Sequence, residues 1–515
     1  MRSDPCPARR KKLIGEMKDK GMEACREAGV LCHISSLPGK YGIGSFGKEA
    51  YRFAKFLKKC GVKYWQVLPL VQTGYGDSPY SSVSCTSGNP YFIDLEQLSQ
   101  EGLLTKAELA EARHEPGSVS YGSLYNERYV TLRKAFLRFN FDDAKFRAFV
   151  KSGVAEDYAL FMTAKRVYGE NFLYWEDSLK FRDPEALEKL RTDFHEEYLF
   201  WNFLQYKFGM QWKALKEYCN SLGIQVIGDI PLYVAADSAD VWAHPELFKL
   251  DSDLRPTKVA GVPPDYFSET GQLWGNPIYD WVAHEKENFA WWTKRLESAL
   301  ATYDVVRIDH FRGIDRYYEI PAFAETAVKG EWKKGPGEKL FANVVGRGRI
   351  IAEDLGIIDD GVKILREKLG FPGMKVLLFA FDGNEKNEFL PEHIEENSVC
   401  YTGTHDNDTV AGYVQTLATE DFLLFRSRVA QTLQEEGVYV KLGERGEGFA
   451  EAFCRLALAS NAQLAVLPVQ DLLGLGNEAR MNYPGTDEGN WRFRLEKFPS
   501  GDAGKLRHWI KIYRR

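Results

Sequence analysis

Val305-Val306-Arg307-Ile308-Asp309-His310-Phe311 is an apolar run that carries a guanidinium and a carboxylate two residues apart. Side chains alternate faces along a strand, so Arg307 and Asp309 point the same way and the cation holds the carboxylate ionised. Such a pair is either a buried salt bridge or an activated carboxylate, and on this stretch alone both readings stand. Seven further runs share its character: 29–34, 64–69, 225–229, 349–353, 375–379, 398–401 and 464–469. Helical periodicity fills most of the intervals, at 50–60, 196–222, 286–300, 362–369 and 448–458. Near-continuous apolar strands alternating with helices imply a parallel sheet covered on both faces. Eight strands predict a (β/α)8 TIM barrel, with a doubly wound sheet as the alternative.

The barrel occupies residues 29–515 and is interrupted twice. Residues 70–196, between the second and third strands, carry mostly helical patterns (106–113, 125–139, 142–151, 184–191) and are too long for a loop, so they read as an inserted subdomain. Residues 249–281 form a second insertion, between the third and fourth strands, read as an active-site loop. Both belong beside the C-terminal mouth of the barrel. The stretch after the last strand is too short for a C-terminal β-sandwich. Residues 1–28 open with Arg9-Arg10-Lys11-Lys12 and then mix charges, without an apolar core of signal-peptide length, and read as a solvated N-terminal extension.

Composition narrows the function classes. With 44% hydrophobic residues, 27% charged and a net charge of -6, the 515-residue chain can bury a large core and is not a general nucleic-acid binder. No apolar stretch reaches transmembrane length, so no membrane partner is expected. Eight cysteines contain no CxxC pair and no clustered histidines, which indicates neither a zinc site nor a disulfide framework and fits a reducing cytoplasm. Neither a metal nor a cofactor is implied: there is no Walker loop, dinucleotide fingerprint or GxSxG elbow.

The strand ends carry the chemistry. Asp229, Asp309, Glu353-Asp354, Asp406 and Asp471 each lie at or just past the C-terminal end of an apolar run, the face on which barrel enzymes build their sites. Several carboxyl groups converging without metal or nucleotide point to glycosidic-bond chemistry, which needs one protonated and one ionised acid. Arg307 makes Asp309 the ionised member, and Glu353, with no basic neighbour in sequence, is the better proton donor. Asp406 then binds sugar hydroxyls and favours the distorted ring, although His-Asp-Asn and Asp-Ile-Pro are also good turn formers, which leaves loop capping open for Asp406 and Asp229.

The ordered motifs Gly228-Asp229-Ile230-Pro231, Arg307-Ile308-Asp309-His310-Phe311-Arg312-Gly313, Ala352-Glu353-Asp354-Leu355-Gly356 and Thr404-His405-Asp406-Asn407 resemble the four signature regions of the α-amylase clan. Gly76-Asp77-Ser78-Pro79-Tyr80, Gly261-Val262-Pro263-Pro264-Asp265, Trp274-Gly275-Asn276-Pro277 and Arg480-Met481-Asn482-Tyr483-Pro484-Gly485 narrow the resemblance to the 4-α-glucanotransferases (amylomaltases) of glycoside hydrolase family 77. The resemblance covers residues 31–491. It implies transfer of α-1,4-glucan segments between donor and acceptor oligosaccharides; separately, a monomer or homodimer is expected. It also implies Asp309 as nucleophile, Glu353 as acid/base and Asp406 as transition-state stabiliser, with Arg307 and His405 flanking them. Tyr80 is implied to stack on the sugar next to the cleaved bond. Tyr75, Ser78, Asp229, Gln272, Trp274 and Asn482 are implied as subsite or shaping residues, and 259–266 as a loop arching over the cleft. An α-glucan hydrolase of the same clan and a non-catalytic glycan-binding protein are the competing readings, the second weakened by the complete set Asp309, Glu353 and Asp406.

Overall fold

The computed structural model describes residues 26–74, 76–169, 171–264, 268–356, 358–444, 446–486, 488–498 and 500–515. Tyr75 and nearly all of the N-terminal extension lie outside them. Among the described residues there are twelve strands: β1 (Glu27–Leu31), β2 (Tyr64–Gln66), β3 (Gln225–Ile230), β4 (Lys258–Val262), β5 (Gln272–Pro277), β6 (Val305–Ile308), β7 (Arg316–Pro321), β8 (Glu331–Lys334), β9 (Ile350–Ala352), β10 (Gly373–Val376), β11 (Ser398–Tyr401) and β12 (Leu464–Pro468). Eight of them form one parallel sheet in the order β10-β11-β12-β1-β2-β3-β6-β9. The two ends approach each other, and the Ala352 N–H donates to the Pro372 carbonyl at 2.9 Å, so the sheet curls into a nearly closed barrel. Each of the eight predicted runs overlaps a barrel strand, but 375–379 begins inside β10 and ends in a 3-10 turn at Leu377–Phe379, and 305–311 is strand only to Ile308.

Register fixes the floor of the site. The β3–β6 ladder sets Asp229 opposite Arg307, which brings both side chains to one level of the barrel. Just before Asp229, a Cβ on Gly228 would stand 2.1 Å from the buried Tyr303 ring, so only glycine lets β3 pass. Gly228→Ala is expected to lower stability by about 1–3 kcal/mol, as overpacking a filled core does, with a lower denaturant midpoint as the check.

The insertion at 70–196 is mostly helical, and the 27-residue helix His195–Ser221 ties it to the barrel. On that helix the Gln205 amide clamps Gly88, accepting from its N–H at 2.8 Å and donating to its carbonyl at 2.9 Å. Gln211 accepts from the Asp94 N–H at 2.7 Å. These bonds hold the loop after β2 that delivers Tyr80.

Two expectations need correction. The second insertion is not simply a loop: β4 and β5 pair antiparallel with each other, and β4 pairs with β7 and β7 with β8, giving a four-stranded sheet in the order β5-β4-β7-β8. Residues 259–262 of the supposed arching loop are therefore strand, and Asp265 and Tyr266 lie outside the described residues. The helix expected at 286–300 is two, Trp281–Lys286 and Ala290–Thr302, because Asn288 and Phe289 between them take left-handed backbone angles.

Candidate active site

Asp309 stands just beyond the end of β6, and Arg307 within β6 is 3% exposed. A cation this deep must be paired, and its fork reaches two acids: it donates to Asp229 Oδ2 at 2.5 Å and to Asp309 Oδ1 at 2.9 Å. The Tyr80 hydroxyl also donates to Asp229 Oδ2, at 2.6 Å, and its oxygen lies 3.3 Å from His405 Nδ1. The Tyr80 and His405 rings stack at 4.7 Å. His405 Nε2 faces Asp406 Oδ2 at 3.3 Å, and Asn482 donates to Asp406 Oδ1 at 2.7 Å. A continuous polar chain thus runs Asp309, Arg307, Asp229, Tyr80, His405, Asp406, Asn482.

Proton placement follows from that chain. Tyr80 has one proton and gives it to Asp229, so His405 Nδ1 must donate to the tyrosine oxygen while Nε2 meets a carboxylate; both contacts are satisfied only by an imidazolium. Burial alone would push the His405 pKa down, but Asp406 beside it raises it. Burial would likewise push Asp406 up, yet the charge and hydrogen bond of His405 and the bond from Asn482 outweigh it and leave the carboxyl well below its usual range.

Glu353, just past β9, is held differently. The His310 N–H donates to its Oε2 at 2.6 Å and the Leu355 N–H to its Oε1 at 2.9 Å. Burial and then the charge of Asp309 push the Glu353 pKa up to about 7, against Arg307 and the two amides. Burial also raises Asp309, to about 6, with Arg307 opposing and Asp229 adding. The acid tied directly to the guanidinium therefore ionises first, and the one held by neutral amides keeps its proton longer.

The remaining predicted residues lie at different distances from this chain. Ser78 Oγ accepts from the Tyr80 N–H at 3.2 Å and so shapes the turn that presents Tyr80. Gln272 and Trp274 sit on β5, where Trp274 Nε1 donates to Gln272 Oε1 at 3.1 Å; the Trp274 ring meets the ring of His310 edge-on at 4.8 Å. Two strand-end acids serve elsewhere: Asp354 accepts from the Met374 N–H at 2.7 Å and pairs with Arg366, and Asp471 accepts from the Val410 N–H at 2.8 Å and from Thr402. Reading the sequence did not single out Arg480, which donates to the carbonyls of Asn482 at 2.8 Å and Asp406 at 3.0 Å and so locks their two loops together. Its place beside Asn482 in a quoted motif was the available signal. Among the described residues no group of three or more His, Cys, Asp or Glu could hold a metal ion.

A family model for 4-alpha-glucanotransferases matches residues 32–499. The chain belongs to the 4-alpha-glucanotransferase family. It is 46% identical over 498 residues to the 4-alpha-glucanotransferase of Clostridium butyricum, covering 94% of this chain and 99% of the relative. Identity to the Thermus thermophilus 4-alpha-glucanotransferase is 48% over 487 residues, covering 92% and 95%. An amylomaltase from Streptococcus agalactiae, solved in complex with acarbose, superposes with a TM-score of 0.89 at 39% identity, covering 95% of this chain and 99% of that one. This 4-alpha-glucanotransferase is thus an enzyme acting on α-glucan oligosaccharides. Among its described residues no helix is long and apolar enough to cross a membrane.

Proposed function

We propose that the enzyme moves α-1,4-glucan segments from a donor maltooligosaccharide or starch or glycogen chain to the 4-hydroxyl of an acceptor glucan, by double displacement with retention. Asp309 attacks the anomeric carbon while Glu353 protonates the departing glycosidic oxygen. The resulting β-glucosyl-Asp309 ester is then opened by the acceptor hydroxyl, whose proton returns to Glu353. The observation that carries this reading is the contrast between the two carboxyl groups: Asp309 paired with Arg307, Glu353 held by amides and buried beside Asp309's charge. The carboxylates of Asp229, Asp309 and Asp406 against the cations of Arg307 and His405 leave one negative charge in excess, which suits an oxocarbenium-like transition state. Tyr80, above Asp229, is the platform for the sugar at the cleaved bond, and Asn482 holds Asp406 toward its hydroxyls.

The decisive experiment is incubation of the enzyme with maltotriose alone. Glucose together with maltopentaose and longer products, at constant total reducing ends, supports transfer; rising reducing ends with only shorter products would assign hydrolysis instead. The rate should follow a bell in pH. It is expected to fall below about 6 as Asp309 takes up a proton and above about 7 as Glu353 loses one, measured as kcat/KM with short maltooligosaccharides.

Transfer outruns hydrolysis because the segment after β4, with Pro263 and Pro264, and the insertion at 70–196 keep water from the intermediate. Pro263→Gly/Pro264→Gly is expected to raise the ratio of hydrolysis to transfer several-fold, scored as free glucose against longer products; an unchanged ratio would remove this role. A cytoplasmic location completes the reading, supported by the free state of Cys32, Cys60, Cys85, Cys219, Cys400 and Cys454 and checked by cell fractionation. Light scattering on the eluting protein decides between monomer and homodimer.

A further inference from the structure

His310 occupies a turn that touches both the acid carboxyl and Trp274 of β5. Its φ is +53°, a left-handed angle that costs a non-glycine residue free energy and that histidine and asparagine tolerate better than most. This turn wraps Glu353 with three backbone bonds: His310 N–H to Oε2 at 2.6 Å, Phe311 N–H to the Glu353 carbonyl at 3.0 Å, and Glu353 N–H to the Ile308 carbonyl at 3.0 Å. Glycine or asparagine would meet the backbone demand equally well, so the histidine ring needs its own explanation.

The ring is a packing surface. Trp274 of β5 stands edge-on to it at 4.8 Å and Tyr233 lies at 6.2 Å. Gly313 packs beside it: a Cβ there would meet Leu232 Cδ2 first, at 2.3 Å, and would stand 3.1 Å from His310 Cδ2. The imidazole is not placed for proton transfer: burial and the neighbouring Arg312 keep it neutral, and its buried Nε2 has no hydrogen-bond partner among the described residues. Trp274 itself is 38% exposed, so one part of its ring rests on His310 while another is open to solvent.

We propose that His310 is a positioning residue that makes β5 and the Glu353 carboxyl one mechanical unit, its left-handed backbone holding the N–H on Glu353 and its ring seating Trp274. The proposal rests on the reading of Glu353 as the acid. It divides His310 into two separable parts: the backbone sets the carboxyl's position and proton affinity, and the ring sets the Trp274 wall against which a glucan lies. The charged groups facing Glu353 are Asp309 and Arg307; none of the substitutions below changes either within a compared series.

The test compares His310→Asn with His310→Val. Asparagine keeps the left-handed turn and loses the ring; a β-branched valine cannot hold the turn without strain, so the N–H leaves Glu353. In H310V the alkaline limb of kcat/KM is expected to move up by about half a unit or more, because a hydrogen bond to the charged form is lost, and kcat to fall about tenfold. In H310N the limb should stay with the wild type while KM for maltotriose rises several-fold. If H310V does not fold, H310A serves, with a smaller shift in the same direction. An H310V or H310A limb that coincides with the wild type, or an H310N limb displaced as far, overturns the proposal. To separate this from a wrong acid assignment, the Glu353 carboxyl is titrated by carbon-13 NMR in Asp309→Asn carrying each His310 change, which needs no turnover. Retained activity in Glu353→Gln would defeat the acid assignment, while the NMR series still decides what His310 does to that carboxyl.

Discussion

Asp309→Asn lowers the rate of glucan transfer by about 10⁴-fold or more, the scale on which removal of a nucleophile acts in other covalent enzymes, while leaving oligosaccharide binding within a few-fold. The substitution is nearly isosteric, and the amide oxygen still accepts the Arg307 N–H that now reaches Asp309 at 2.9 Å, so the floor of the site stays in place. Binding is read by calorimetry with maltotetraose and rate by product analysis; a variant keeping a tenth of the activity would end the nucleophile assignment. The change also has an electrostatic signature. The negative charge of Asp309 is one of the causes that hold Glu353 up at about 7, second to burial, and Arg307 opposes it. With the charge gone and Arg307 retained, the Glu353 pKa falls. A smaller side chain supplies a chemical readout. In Asp309→Gly, azide can enter from the face that the carboxylate occupied, and the product expected from an α-linked donor is the β-glucosyl azide. The α-azide would show that another group had formed the intermediate.

The sequence made the barrel and its acids legible for a physical reason. Strands buried on both faces read as unbroken apolar runs, so 225–229, 305–311 and 464–469 announce themselves, and a carboxylate closing such a run stands out. What stayed hidden depends on partners remote in sequence. Strand β8 is Glu331-Trp332-Lys333-Lys334, largely exposed at the edge of its sheet, where charge keeps other strands from adding and erases the apolar signature. In the run 305–311 the strand ends at Ile308, although Phe311 continues the apolar pattern. It is apolar for packing, against Phe341 and Phe371, after the backbone has already turned at His310. Asp471 and Asp309 look alike as acids closing a run, and only the three-dimensional partners separate them: Thr402 and the Val410 amide for the first, a buried guanidinium for the second. Arg480 is 74 residues from Asp406, beyond any local pattern.

Arg307→Ala should have the largest effect on stability, because one buried fork compensates two acids. Removing it strips Asp229, 1% exposed, and Asp309 of the guanidinium they share, and breaking a buried pair in this way costs about 3–5 kcal/mol. Arg307→Lys does not restore the site, since a single ammonium cannot donate along two directions in the geometry of the guanidinium. The effect on rate has a definite direction in pH. Arg307 lowers the pKa of Asp309 against burial, so in its absence that pKa climbs above about 6; Arg307 also lowers Glu353, whose pKa climbs as well. The acid limb of the profile therefore moves up, and at neutral pH Asp309 becomes increasingly protonated and unreactive. A second substitution separates the two consequences. Asp229→Asn in the Arg307→Ala background removes one uncompensated charge and is expected to recover part of the lost stability, seen as a higher denaturant midpoint, with a coupling between the two sites of at least about 1 kcal/mol in a double-mutant cycle. It cannot recover the rate, because the guanidinium, the main group holding Asp309 ionised, is still missing. Additive losses would mean that Arg307 and Asp229 are not one unit. Full recovery of turnover would mean that the guanidinium serves only to keep the barrel folded and leaves the reactivity of Asp309 untouched.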